Sequence, residues 1–366
     1  MVKKLLYLNG LSIFAVVLYH AETWGIISMF FWTHRYRSVV GMNFDQVGNA
    51  EYYGSRIIEQ LVPFAIPAFV FVSGYFIAAA AGRENKPLKW GIVLNRIKFL
   101  AIPYLLWSMV MILISVVQGA RYSISKFLFT LITGDAAGPY YFVPMLIQLY
   151  LLSPALLFLV RKQWKLMLTL SAILQVFVWS VRYISIFLPD SPLFSILPNP
   201  TFFTAYTFWF ILGIVFVLRL KQVKSFLARY QRWFLFGIPI FFIAGFIEWE
   251  VLFHLSGEVW LYKRATVIDQ FYALCVILSF LSFDEIPLPL FEQVTNIGAK
   301  SYAIFLTHII VIISTARIIY HIAPFLMEYQ ILFQPVLIIM GLGVPLLLIY
   351  MVERSFLRKY YKYILG

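Results

Sequence analysis

The sequence returns about ten times to a run of roughly twenty apolar residues. An α-helix rises ~1.5 Å per residue, so such a run crosses the ~30 Å hydrocarbon core of a bilayer. The runs extend from Leu5 to Phe31, Ile57 to Ala81, Trp90 to Val117, Tyr140 to Val160, Trp164 to Leu188, Phe202 to Leu218, Trp233 to Leu255, Ala265 to Phe283, Ser301 to Ile322 and Ile331 to Val352. Only 12% of the 366 residues are charged, half the share in a soluble domain. Too few charges remain for a water-facing surface, so lipid must be the solvent. The fold expected is an all-α membrane protein, a bundle of about ten transmembrane helices. It forms a single integral-membrane domain over 1–366, with no separate soluble domain. The first run is too long for a cleaved signal and has no small-residue cleavage pattern after it, so it reads as a retained anchor.

The net charge of +13 invites a nucleic-acid partner, but the basic residues sit in short loops between apolar runs, where topology wants them. Alternate loops carry about eighteen Lys and Arg against about eight. An even number of spans puts both termini on one side, and the richer loops make that side the cytoplasm. The segment from Arg35 to Arg56 and the Pro-rich stretch from Pro189 to Pro200 are then external. Cys275 is the only cysteine, so no internal disulfide can form.

Ionisable side chains inside a bilayer are costly and mark candidate sites. Here they include His20, Glu22, Glu59, Arg96, Lys98, Arg182, Glu248, Glu250, Asp269, His308 and Arg317. Glu59, Arg182 and Arg317 fall near helix ends, where long side chains reach the interface. His20 lies sixteen residues beyond Lys4, ~24 Å along a helix and so in the outer half of the membrane. A neutral imidazole there can take a proton from a hydroxyl, or pack as a hydrogen-bonded core residue. Asn9 lies eleven residues earlier, close to three turns, on the same face. His308 follows Ser301 by seven residues, ~10 Å deep. It is a second proton carrier or a structural group. Glu22 or Glu59 could orient His20 through its other ring nitrogen, although two residues' separation turns Glu22 to another side of the helix. No HExxH, no cysteine pair and no carboxylate at ligand spacing accompanies the histidines, so no metal is expected. No P-loop or G-x-S-x-G elbow is present. Ten helices with internal prolines and charges also suit a transporter or flippase of a glycan or lipid-linked substrate, but no clear internal repeat supports that.

Several segments, in order, resemble the acyltransferase 3 family of membrane O-acyltransferases. Leu8-Asn9-Gly10 through Tyr19-His20 is similar to the family's opening helix, which ends in its essential histidine. Ile66-Pro67 through Ser73-Gly74-Tyr75 resembles its second-helix signature. Arg96 through Pro103-Tyr104 resembles its basic third-helix motif. Tyr141-Phe142-Val143-Pro144 with Gln148, Tyr150 and Pro154, then Phe210-Ile211-Leu212-Gly213, then Ser301 through Thr307-His308 match later landmarks. The chain departs from the pattern at Asn9 and Phe99, where the family usually carries arginine.

The resemblance implies a multi-pass enzyme of the cell's inner (plasma) membrane. It would take an acyl group, acetyl above all, from acyl-CoA and place it on a hydroxyl of a sugar or glycolipid. His20 is then the general base, with His308 and Glu22 as further catalytic candidates. Asn9, Arg96 and Lys98 are candidates for the acyl-CoA phosphates. Ser73, Tyr75, Gln148 and Tyr150 are candidates for substrate and oxyanion contacts. The partners expected are lipids, acyl-CoA and the acceptor, with no nucleic acid and no metal.

Overall fold

The computed structural model describes residues 1–82, 87–188, 202–262, 265–283 and 288–366. The Pro189–Pro200 stretch lies outside the described residues. The chain is an all-α membrane protein, and no strand occurs among the described residues. The helices are α1 (Val2–Ile26), α2 (Ala50–Leu61), α3 (Ala65–Ala81), α4 (Trp90–Val117), α5 (Ile124–Thr133), α6 (Phe142–Phe187), α7 (Thr207–Leu218), α8 (Leu220–Ser256), α9 (Val267–Ser282), α10 (Phe291–Ala299), α11 (Ser301–Ile322), α12 (Gln330–Arg354) and α13 (Tyr361–Ile364). Among the described residues, seven helical segments are long and apolar enough to cross a membrane. One of them, Gly138–Phe187, contains two of the expected runs. Gln163 breaks it with non-helical backbone angles, φ −141° and ψ 57°. α7 and α9 coincide with two further runs but are shorter, so ten is an approximate count.

Local signals set several boundaries. Asn49 caps α2 by accepting the Tyr52 amide at 2.8 Å, and Thr266 with Asp269 forms a reciprocal capping box on α9. Such caps satisfy amides the first turn would otherwise leave bare.

The chain gathers into two compact units. The first holds Met1–Ala65, Ile240–Lys263 and Leu290–Lys359, and the second Ile66–Pro239, Arg264–Pro289 and Tyr360–Gly366.

In the first unit α1 packs against α2, α10, α11 and α12. Lipid supplies no hydrophobic drive between helices, so close backbone approach and polar contacts hold them. A Cβ on Gly10 would strike the Val294 carbonyl, and one on Gly298 would strike the Leu6 carbonyl. Just beyond α1, Gln330 donates to Ser28 Oγ at 2.8 Å and ties α12 to the π-helical turn Ile27–Phe31 that continues α1.

In the second unit α3 and α7 meet in the same way. A Cβ on Gly74 would strike the Phe210 carbonyl, and one on Gly213 the Phe71 carbonyl. The glycines of the Ser73-Gly74-Tyr75 and Phe210–Gly213 segments are thus explained by backbone contact. The C-terminal α13 lies on α4, where Trp107 Nε1 donates to the Ile364 carbonyl at 2.9 Å.

Candidate active site

The glycine contact between α1 and α10 sets the level of everything beyond it. Gly10 faces α10 at Val294, and Gly298 faces α1 at Leu6 and Gly10. Ten residues separate Gly10 from His20, and ten separate Gly298 from His308. α1 and α11 run parallel, so the two histidines arrive together, with ring centroids 5.3 Å apart. Twelve residues later on each segment, Trp32, just beyond the π-turn that continues α1, and Tyr320 also meet, at 4.8 Å. The register therefore holds from Gly10 to Trp32.

The depth of His20 counted along α1 does not agree with that of its neighbour counted along α11. Counted from Lys4 it is ~24 Å, while His308 counted from Ser301 is only ~10 Å, yet the rings adjoin. The helices do not start at one level. The first turns of α1 lie alongside α10, and α11 begins only afterwards. Measured along α11, the pair sits in the third of that helix nearer its N-terminal end.

His308 is fully buried. Its Nδ1 lies 2.8 Å from the Phe305 carbonyl and 3.1 Å from the Ile304 carbonyl. A carbonyl only accepts, so Nδ1 carries the proton and Nε2 of the neutral ring is left with a lone pair. Nε2 has no hydrogen-bond partner among the described residues. His20 is half-buried, with Tyr19 edge-on at 5.2 Å. No hydrogen bond to its ring forms among the described residues. Glu22 is fully buried on the same helix. The Asn9 Oδ1 on α1 and the Thr295 Oγ1 on α10 are buried without a partner among the described residues.

The other expected site residues lie in the second unit. Arg96 Nη2 donates to the Phe76 carbonyl at 3.2 Å and braces α4 against α3. Lys98 is exposed, its ammonium 5.3 Å from the Tyr363 ring centre. Lys362 of the C-terminal segment sits 5.5 Å from the Phe99 ring centre. Ser73 donates its hydroxyl to the Phe69 carbonyl at 2.8 Å, one turn back. Gln148 Oε1 accepts the Phe203 amide at 3.2 Å. The Tyr75 ring packs near Phe216, and the Tyr150 ring near Phe210.

A buried ionic cluster was not foreseen. Arg56, expected in an external loop, lies inside α2 and donates to Glu59 at 2.5 Å, with both side chains almost wholly buried. Tyr52 donates to Glu250 at 2.9 Å, and Trp260 and Trp249 flank the guanidinium at 4.9 and 5.4 Å. Glu59 therefore does not snorkel to the interface. The signal available was the i, i+3 spacing of Arg56 and Glu59; the partners on α8 and beyond are remote in sequence. No group of three or more metal-ligating side chains occurs among the described residues.

The family model of an acyltransferase domain, acyltransferase 3, matches residues 4–350. The chain belongs to the acyltransferase 3 family. The match spans both compact units and includes every expected site residue, from Asn9 to His308. No curated protein and no solved structure matches the chain. The chain is thus a membrane-embedded acyltransferase, with a histidine pair within its apolar helices.

Proposed function

We propose that this acyltransferase moves an acyl group, acetyl first among them, from acyl-CoA to a hydroxyl of a cell-surface glycan or glycolipid. The observation that carries the reading is the His20–His308 pair, two imidazoles 5.3 Å apart, one with its tautomer fixed by its own helix. His20 removes the proton from the acceptor hydroxyl, and the oxygen attacks the thioester carbonyl. The tetrahedral oxyanion collapses, the carbon–sulfur bond breaks, and the leaving thiolate recovers the proton from His20. The lone pair on His308 Nε2 is an acceptor for an N–H of His20, which would hold the opposite nitrogen of His20 as the base. Glu22, buried on the same helix, is the carboxylate to offset the transient imidazolium.

The cations of Arg96 and Lys98 in the second unit are of the kind that hold the phosphates of coenzyme A. Within the second unit, Ser73 and Gln148 hold backbone at the Phe69 carbonyl and the Phe203 amide. The whole chain acts as one catalytic domain in the inner membrane, with both termini cytoplasmic. The donor then enters from the side where α11 begins, the nearer side to the histidine pair.

The test uses purified protein in nanodiscs, with acetyl-CoA binding read by thermal shift and turnover read by free CoA. A ligand at 100 times its Kd stabilises by ~2.7 kcal/mol, enough to read. His20→Ala should bind acetyl-CoA normally and release no CoA. Near-normal turnover by that variant would remove the base assignment. Absence of any acyl-CoA binding by folded protein would favour a transporter.

A further inference from the structure

Beyond the histidine pair, Trp24 on α1, Trp32 just past its π-turn and Tyr320 on α11 form a series of aromatic rings that the reaction as described does not use. Trp24 lies one turn after His20 and on the same face. Its ring centre is 5.1 Å from that of Trp32, which is 4.8 Å from that of Tyr320 on α11. An unbroken α-helix would not align Trp24 and Trp32, since eight residues overshoot two turns by ~80°. The backbone here is a π-helix over Ile27–Phe31, and the Trp32 amide reaches back to the Ile27 carbonyl at 3.0 Å. The wider i→i+5 turn takes up the excess and returns Trp32 to the face of Trp24. Such π-turns recur at functional sites.

The three rings are half-buried. Each therefore offers some face or edge to a ligand. Polar groups rim the far end. His34 Nε2 lies 3.3 Å from the Tyr320 hydroxyl. Arg35 donates to the Tyr320 carbonyl at 3.1 Å, and its guanidinium covers that ring at 4.6 Å. Trp and Tyr at helix ends form interfacial belts at headgroup level. These three rings touch in series and begin one turn from the base.

We infer that Trp24, Trp32 and Tyr320 form the binding track for the acceptor, a chain of polyhydroxylated rings that enters past His34 and Arg35 and presents one hydroxyl to His20. The apolar C–H faces of such rings pack on aromatic surface, while their hydroxyls meet the polar rim. The track runs from the histidine pair to Tyr320, twelve residues or ~18 Å along α11. It therefore reads several linked rings, not one. The inference rests on His20 being the base for that acceptor.

The experiment uses the full chain in nanodiscs and the labelled polysaccharide and glycolipid fraction of the native membranes. Binding of that fraction is measured separately from acyl transfer to it. Trp24→Ala and Trp32→Ala should weaken glycan binding at least fivefold and leave acetyl-CoA binding unchanged. Trp24→Phe and Trp32→Phe, which keep a flat ring and guard against simple unfolding, should stay within twofold. His20→Ala should bind glycan normally. Unchanged glycan binding in both alanine variants, or no glycan retained by the wild-type protein, overturns the track. Normal glycan binding without any transfer leaves the track standing and sinks the acyltransferase mechanism instead.

Discussion

A histidine that spends one N–H on its own backbone has a single lone pair left to offer, and in His308 that lone pair is buried and unmet among the described residues. An unpartnered polar atom costs ~1–3 kcal/mol, so the fold tolerates it where a neighbour or substrate supplies the proton. Replacing His308 by Phe keeps the volume and removes the acceptor. We expect kcat to fall ~10- to 100-fold, within the scale of acid–base effects. The Kd for acetyl-CoA should stay the same. A variant of normal kcat would make His308 a packing residue. Gly10→Val is expected to act differently, forcing α1 from α10 at a cost of ~1–3 kcal/mol or more. It should lower the thermal midpoint even with donor absent. Both histidines were legible in the sequence as ionisable groups in apolar runs. Their meeting was not, because a sequence carries no common zero of depth for two helices.

Elements were read better than their partners. The two runs inside Gly138–Phe187 were separable because the basic residues around Gln163 interrupt the apolar pattern where the helix breaks. α2 was the weak point. Its first half, up to Arg56, was assigned to the preceding loop on the strength of loop charge, while Glu59 was placed near a helix end reaching the interface. Burial of both changes the energetics: removing one partner of a buried pair costs ~3–5 kcal/mol, while replacing both with apolar residues is often neutral. Arg56→Met should therefore unfold the protein far more readily than the double variant Arg56→Met, Glu59→Met. Denaturant midpoints of the three proteins decide it, and equal losses in both variants would show that the pair is not isolated from its aromatic surround. At α9, Thr266→Ala should cost ~1 kcal/mol through the lost cap, seen as a modest drop in midpoint.

For the whole molecule, the membrane class and family were legible over nearly the full length, because composition and ordered motifs survive any uncertainty in packing. The number of spans was less so, since α7 and α9 fall short of the length that spans a bilayer. The placement of both termini in the cytoplasm rests on loop charge and has a direct test. Cys275 is the sole cysteine and is buried, so Cys275→Ala gives a clean background for single cysteines. In intact cells a membrane-impermeant maleimide should label Val40→Cys, at a fully exposed position. It should spare Val2→Cys and Lys359→Cys until the cells are opened. The reverse pattern would invert the topology, and with it the side from which donor and acceptor approach.

The matched spacing of α1 and α11 has a genetic consequence. Between Gly10 and His20 the letters can change widely, provided they stay apolar, but their number cannot. One inserted residue turns His20 by ~100° and carries it ~1.5 Å along the axis, away from His308, while the glycine contact stays where it was. This stretch should accept most conservative point substitutions and reject every one-residue insertion or deletion, like the teeth of a gear that can be recut but not recounted.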